Sequence, residues 1–234
     1  MRNVKLSDRL AAVAEMTDPG VKLADIGTDH AFLPVSLCLT GKIPGAIAAD
    51  VRPGPLSRAE EHIREAGLTD VIETRLSDGL MAFKPGEVRE IVIAGMGGRL
   101  MIRILTDAAD VTRELNTLIL EPQSETGALR KKIAELGFCI ERENMILEDG
   151  KYYPVIRAVR GETGPVSDCE AEYGPLLLKE QNPVLHKFLL FRRRILLDID
   201  RKLKEAGTEA ASSRRKETEV ELRLISEALQ YYEM

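Results

Sequence analysis

Short apolar runs alternate with stretches of helical periodicity through the first two thirds of this chain, and that alternation excludes most architectures. The β-like runs fall at residues 21–26, 46–51, 71–76, 90–94 and 118–120, with helical stretches at 32–39, 55–66, 99–108 and 125–136 between them. Strands interleaved with helices of this length predict a parallel sheet covered on both faces, because a parallel pair needs a long crossover to return the chain. A short amphipathic helix over 6–15, capped at Ser7 or Asp8, precedes the first strand. Two further β-like runs, 138–147 and 151–159, are joined by Glu148-Asp149-Gly150. Asp-Gly is a strong hairpin signal, so the sheet is expected to end in an antiparallel hairpin.

After Gly161 the pattern changes. Residues 162–168 are rich in turn formers, and beyond them Leu185, Leu189, Leu196, Ile199 and Leu203 recur at spacings of about four and three, interrupted by Arg192. Leu222, Ile225, Leu229 and Tyr232 repeat the pattern, which predicts two helices joined through 207–213 into an antiparallel, coiled-coil-like hairpin. The expected domains are 1–162 and 163–234. A chain of 234 residues with 44% hydrophobic content can bury one good core and carry such an appendage. Its net charge of −5 excludes a uniformly basic nucleic-acid binder, so a polyanionic partner needs a local basic region. Residues 186–216 supply one, with ten Lys/Arg against four acids. Cys38, Cys139 and Cys169 are isolated, without the spacing of a zinc site or a disulfide framework, so no metal is expected. The first ten residues carry Arg2, Lys5, Asp8 and Arg9 and no apolar stretch, and no run approaches a membrane span; the expectation is a cytoplasmic protein. Oligomeric state is not legible.

The chemistry is concentrated where strands end. In Leu23-Ala-Asp-Ile-Gly-Thr-Asp-His-Ala-Phe-Leu-Pro34 an apolar strand runs into a glycine turn, and the following helix can point its free N–H groups at that turn. Asp25 and Asp29 would repel a pyrophosphate yet suit hydroxyls, an ammonium or a sulfonium, which implies S-adenosylmethionine rather than NAD. Asp50 ends the second strand, where a carboxylate can accept both ribose hydroxyls of an adenosine. Ser77-Asp78-Gly79 follows the third strand and suits an adenine ring and its amino group. Ala94-Gly95-Met96-Gly97-Gly98 leaves backbone uncovered at the end of the fourth strand, where the cofactor's methionyl part and a substrate must meet. Glu121-Pro122-Gln123-Ser124 and Lys151-Tyr152-Tyr153-Pro154 bring two more polar segments to the same rim. His30 can be read as a general base or as a hydrogen-bonded structural residue; His62 and His186 lack a metal-like partner at helical spacing. No nucleophile elbow or phosphate-binding loop is present, so hydrolase and kinase readings lack their chemistry. A nicotinamide oxidoreductase, a methyltransferase acting on another RNA or a small molecule, and a non-catalytic RNA-binding module are the competing readings.

A parallel sheet that ends in an antiparallel hairpin is the arrangement of class I, Rossmann-like methyltransferases. Within that class, Asp25-Ile-Gly-Thr-Asp-His30, Asp50-Val-Arg-Pro-Gly-Pro-Leu56, Ser77-Asp-Gly-Leu80, Ile93-Ala-Gly-Met-Gly-Gly98 and Glu148-Asp-Gly-Lys-Tyr-Tyr153 together resemble the TrmK family of bacterial tRNA (adenine(22)-N1)-methyltransferases. The Gly-Met-Gly-Gly segment stands where common base N-methyltransferases carry an Asn/Asp-Pro-Pro-Tyr loop. One departure is Glu121, where the family pattern leads one to expect glutamine followed by Pro-Asn.

The resemblance implies an S-adenosylmethionine-dependent enzyme whose helical tail helps hold tRNA. The cofactor-side set also takes in Arg9, Thr28, His30, Val51, Met96 and Gly97, with Arg9 read either as a clamp on the methionine carboxylate or as a surface arginine. Gly98, Gln123, Lys151, Arg192, Arg193, Arg194 and Lys202 would meet the RNA. Adenine N1 is a neutral lone-pair nucleophile, so transfer needs in-line alignment and no strong base. The methylated base emerges cationic, and Asp29 together with the face of Tyr152 or Tyr153 would stabilise that charge. Adenine 22 lies inside folded tRNA and must be extruded.

Overall fold

The computed structural model describes residues 5–206 and 208–233; Arg2 of the N-terminal charge cluster and Gly207 of the expected helix connection lie outside the described residues. The chain divides into two compact units, Met1–Gly164 and Pro165–Met234.

In the first unit, α1 (Asp8–Glu15) precedes β1 (Leu23–Ile26), α2 (Phe32–Leu39), β2 (Ala46–Asp50), α3 (Pro53–Glu65) and β3 (Ile72–Leu76). Then follow β4 (Glu90–Met96), α4 (Gly98–Asp107), α5 (Ala109–Glu114), β5 (Thr117–Pro122), α6 (Thr126–Glu135), β6 (Phe138–Glu148) and β7 (Lys151–Arg160). The seven strands form one sheet in the order β3-β2-β1-β4-β5-β7-β6. The first five are parallel, and β7 runs antiparallel to both β5 and β6. This is the Rossmann-like sheet with a terminal hairpin expected from the alternation of elements. β1, β2 and β5 are buried throughout because helices cover both faces. Ala24, Ile26, Ile91 and Ile93 pack on one face against Met101 and Leu105 of α4. Leu23, Ala48 and Val92 pack on the other with Val13 of α1, Val35 of α2 and Ile63 of α3. Ser7 caps α1 by accepting the Leu10 N–H at 3.4 Å.

At the amino end of β4 a charged cluster is folded into the core. Glu90 is 1% exposed and accepts the Asp18 N–H through both oxygens, at 3.1 and 3.2 Å. Arg157 approaches it at 3.6 Å but is engaged more closely by Asp18, Glu141 and the Met16 carbonyl. Burial therefore dominates, and the Glu90 carboxyl is pushed up to about 8. The folded protein holds a proton that the unfolded chain releases near its ordinary value, so this stabilising contribution is complete at acid pH and is lost as pH rises through about 8. Glu90→Gln is expected to flatten that slope. Its melting temperature should match the parent at pH 4, below the unfolded-state value, and exceed it at pH 8.5, by roughly 2–4 °C per kcal/mol of relieved ionisation cost. Parallel pH dependence in the two proteins would remove Glu90 as the source.

The second unit holds α7 (Asp168–Tyr173), α8 (Pro175–Lys179), α9 (Pro183–Ala206) and α10 (Glu209–Gln230). The two short helices are new relative to the sequence reading; Ser167 and Glu170 form a capping box that starts α7. Arg192 pairs with Glu221 and Arg215 with Asp200, so α9 and α10 run antiparallel, with Leu189, Leu196, Ile225 and Leu229 buried. The connection is shorter than the expected 207–213, because Thr208 accepts the Ala211 N–H and α10 starts at Glu209. No described helix is long and apolar enough to cross a membrane, and no metal-ligating cluster occurs among the described residues.

Candidate active site

β1 and β4 are neighbours whose chain continuations leave in opposite directions, β1 towards β2 and β4 towards β5. A crevice must open above such a switch point, at the carboxyl ends of the strands. Two cavities lie there and share Gly27, Ala94 and Gly95. Gly27 and Gly95 both adopt the left-handed conformation, φ +78° and +77°, which lets the chain turn sharply at the ends of both central strands.

The first cavity, of about 540 Å³, lies under α1. Asp25, Thr28, Asp29, Gln123 and Arg9 line it, as do Lys5, Leu6, Ser7, Leu10, Phe32 and Leu33, which the sequence reading did not assign. Asp25 is buried, and Thr28 donates to its Oδ2 at 2.7 Å. Burial pushes the Asp25 carboxyl up to about 6, reinforced by Asp50 and opposed by the Thr28 hydroxyl. Arg9 reaches from α1 to β5, its Nη1 2.5 Å from Glu121 Oε2, and stacks 5.4 Å from the centre of the Tyr153 ring.

The second cavity, of about 340 Å³, is lined by Asp50, Val51, Ser77, Asp78, Gly79 and Met96, together with the unassigned Ile26, Arg52, Leu100, Arg103 and Ile104. Asp50 is buried and its Oδ1 accepts the Arg52 N–H at 2.7 Å, an arrangement that fixes a carboxylate at the cavity wall. Ser77 Oγ is consumed locally: it donates to the Gly79 carbonyl and accepts the Ala82 N–H. The other acceptor of that turn is Asp78, half-exposed, with both carboxylate oxygens taken by Arg103, at 2.8 and 3.4 Å.

Two carboxylates, Asp50 and Asp78, beside the apolar Ile26, Val51, Leu100 and Ile104 on one side, and Arg9 with Asp25 and Asp29 on the other, suit an adenosine joined to an amino acid. A methyltransferase-domain family model matches residues 6–156. The tRNA (adenine(22)-N(1))-methyltransferase of Bacillus subtilis is 38% identical over 192 residues, covering 80% of this chain and 81% of that protein. The chain belongs to the tRNA (adenine(22)-N1)-methyltransferase family. The crystal structure of B. subtilis TrmK superposes with a TM-score of 0.87 at 34% identity, covering 97% of this chain and 99% of that one. A Streptococcus pneumoniae structure solved in complex with S-adenosyl-L-methionine gives a TM-score of 0.83 at 34% identity, over 96% of this chain and all of that one.

Several residues expected at the site of this TrmK-family chain stand elsewhere. The His30 ring lines neither cavity; it stacks on Phe32 at 5.2 Å, which gives it a packing partner instead. Tyr152, Tyr153, Gly97, Gly98 and Lys151 also lie outside both cavity walls, Gly97 serving as the N-cap of α4 and Gly98 donating to the Ser124 carbonyl at 2.9 Å. Tyr153 reaches the site through Arg9. Of the basic residues on the hairpin, Arg192 is bound in two hydrogen bonds by Glu221, and Lys202 pairs with Asp198 at 2.8 Å. Arg193 and Arg194 are exposed.

Proposed function

We infer that this protein transfers the methyl group of S-adenosylmethionine to N1 of adenine 22 in tRNA. The pair of cavities meeting at Gly27, Ala94 and Gly95 carries the reading, because one ligand can thread both only if it has two unlike halves. Asp50 would hold the ribose hydroxyls, Asp78 the adenine amino group, and Arg9 the carboxylate at the far end. Bound there, the cofactor supplies an electrophilic methyl at a sulfonium; the chain's own residues do the rest. Gly95 opens the wall of β4 so that a base can approach in line, and Gln123 and Asp29 stand on the side from which it would come. Asp29 offsets the positive charge that arrives on the base, and the Tyr153 face acts indirectly, through the Arg9 guanidinium stacked on it. No group is needed to remove a proton before transfer.

The deciding experiment incubates the protein with labelled S-adenosylmethionine and unmodified bulk tRNA, followed by nucleoside analysis. N1-methyladenosine in the product supports the reading. Binding of NADH in place of S-adenosylhomocysteine would sink it, and tRNA binding without methyl transfer would favour a non-catalytic module. We place the reaction in the cytoplasm, where tRNA is processed.

The second unit is proposed to hold the tRNA backbone. Arg193 and Arg194, rather than Arg192, are the residues to test, since Arg192 is already bound to Glu221. Reversing both to Glu is expected to weaken tRNA binding and to lower the salt slope by roughly one for each phosphate that is no longer neutralised. Unchanged affinity in a filter-binding titration across salt would assign the helices another role.

A further inference from the structure

Glu121 lies one residue before the end of β5 with its side chain fully buried, a position where a carboxylate costs free energy unless it is fully partnered. It is not fully partnered. Oε2 takes Arg9 Nη1 and the Gly95 N–H also favours the carboxylate, while Oε1 makes no hydrogen bond of good geometry among the described residues. Apolar side chains of similar volume in place of the whole Arg9–Glu121 pair would avoid that cost, so stability alone does not explain a carboxylate here.

Its neighbours do. Arg9 lines the first cavity, and a Cβ built on Gly95 would stand 3.7 Å from Arg9 Nη1, so the guanidinium hangs over the glycine that both cavities share. Three interactions fix it there: Glu121, the Tyr153 ring, and the Arg9 backbone N–H donating to Glu148 Oε1 at 3.1 Å. A guanidinium has five N–H donors, and Glu121 engages only one of its nitrogens. The remainder are available to a second carboxylate. A long arginine on a helix surface would otherwise lose side-chain entropy on every binding event.

We propose that Glu121 is a positioning residue for the cofactor's amino-acid end: it holds the Arg9 guanidinium over Gly95, ready for the ligand's carboxylate. This rests on the S-adenosylmethionine reading, and it makes the Arg9–Glu121 pair one kept for binding rather than for stability alone.

Calorimetry with two probes tests it. S-adenosylhomocysteine carries the amino-acid end, and 5′-methylthioadenosine lacks it while keeping the adenosine. Glu121→Met is expected to melt lower than the parent, because it leaves the Arg9 guanidinium without its carboxylate, and to fold all the same. It should bind S-adenosylhomocysteine at least about tenfold more weakly and 5′-methylthioadenosine within about twofold, because only the first ligand meets Arg9. Glu121→Gln keeps an acceptor for Arg9 and should recover S-adenosylhomocysteine affinity to within roughly threefold. Arg9→Met should show the same selective loss, and the double variant should lose little more than either single one, the signature of coupled residues. Equal losses for both ligands, or wild-type affinity in Arg9→Met, would overturn the assignment even if Glu121→Met failed to fold. A parent protein that binds neither probe would instead overturn the cofactor reading itself.

Discussion

Gly27→Ala is expected to weaken S-adenosylhomocysteine binding by about 100-fold, equivalent to roughly 2.7 kcal/mol. Two costs combine at this position. With φ at +78°, an alanine there adopts a conformation that costs an L-residue about 1–2 kcal/mol. The added Cβ would also stand 2.0 Å from Met96 Cε, so the methionine must swing away. Gly27 bounds both cavities and Met96 lines the second, so that movement takes space from the ligand. The backbone cost falls on stability and the displaced methionine on binding. Melting temperature should therefore drop by only a few degrees, about 2–4 °C per kcal/mol in a chain of this size, while affinity collapses. Calorimetry beside a thermal melt separates the two, and affinity within threefold of the parent would show that the turn does not touch the cofactor.

The fold was legible because its signals are local. β1, β2 and β4 each read as an apolar run ending in a glycine or an aspartate, and Glu148-Asp149-Gly150 announced the hairpin that closes the sheet. What escaped was set by partners distant in sequence. Arg192 read as a free cation until the antiparallel packing of α9 on α10 brought Glu221 to it. Arg9 and Glu121 lie 112 positions apart, so no spacing rule could pair them. Ser77 looked like a ligand for adenine, yet its hydroxyl closes its own turn through Gly79 and Ala82. The helices α7 and α8 are too short for periodicity to reveal, and Gly174-Pro175 between them reads as a loop. Residues under α1, such as Leu6 and Leu10, were read only as the apolar side of a helix, because sequence does not say that this side roofs a cavity.

Asp29→Ala is expected to lower turnover by about 100-fold, in the range for removing one preorganised electrostatic group, with S-adenosylhomocysteine affinity held within about threefold. Asp29 lies at the edge of the first cavity with 71% of its side chain exposed, so it contributes little to the fold. The backbone after it is held in an unusual way: His30 and Ala31 are both left-handed, at φ 57° and 52°, and His62 Nδ1 donates to the His30 carbonyl at 2.7 Å. Two such residues in succession cost a few kcal/mol and persist where the surroundings impose them, commonly at functional sites. Asp29 immediately precedes them, exposed at the rim of the first cavity. Arg58 Nη2 stands 3.2 Å from Asp29 Oδ1, and that cation offsets part of the charge the mechanism needs. An exposed ion pair of this kind is worth at most about 1 kcal/mol, so Arg58→Ala should change turnover by less than about fivefold. The contrast between the two variants separates the carboxylate from its restraint. Single-turnover rates with saturating tRNA read it directly. If Asp29→Ala turned over near the parent rate, in-line alignment above Gly95 would have to carry catalysis without a counter-charge for the methylated base.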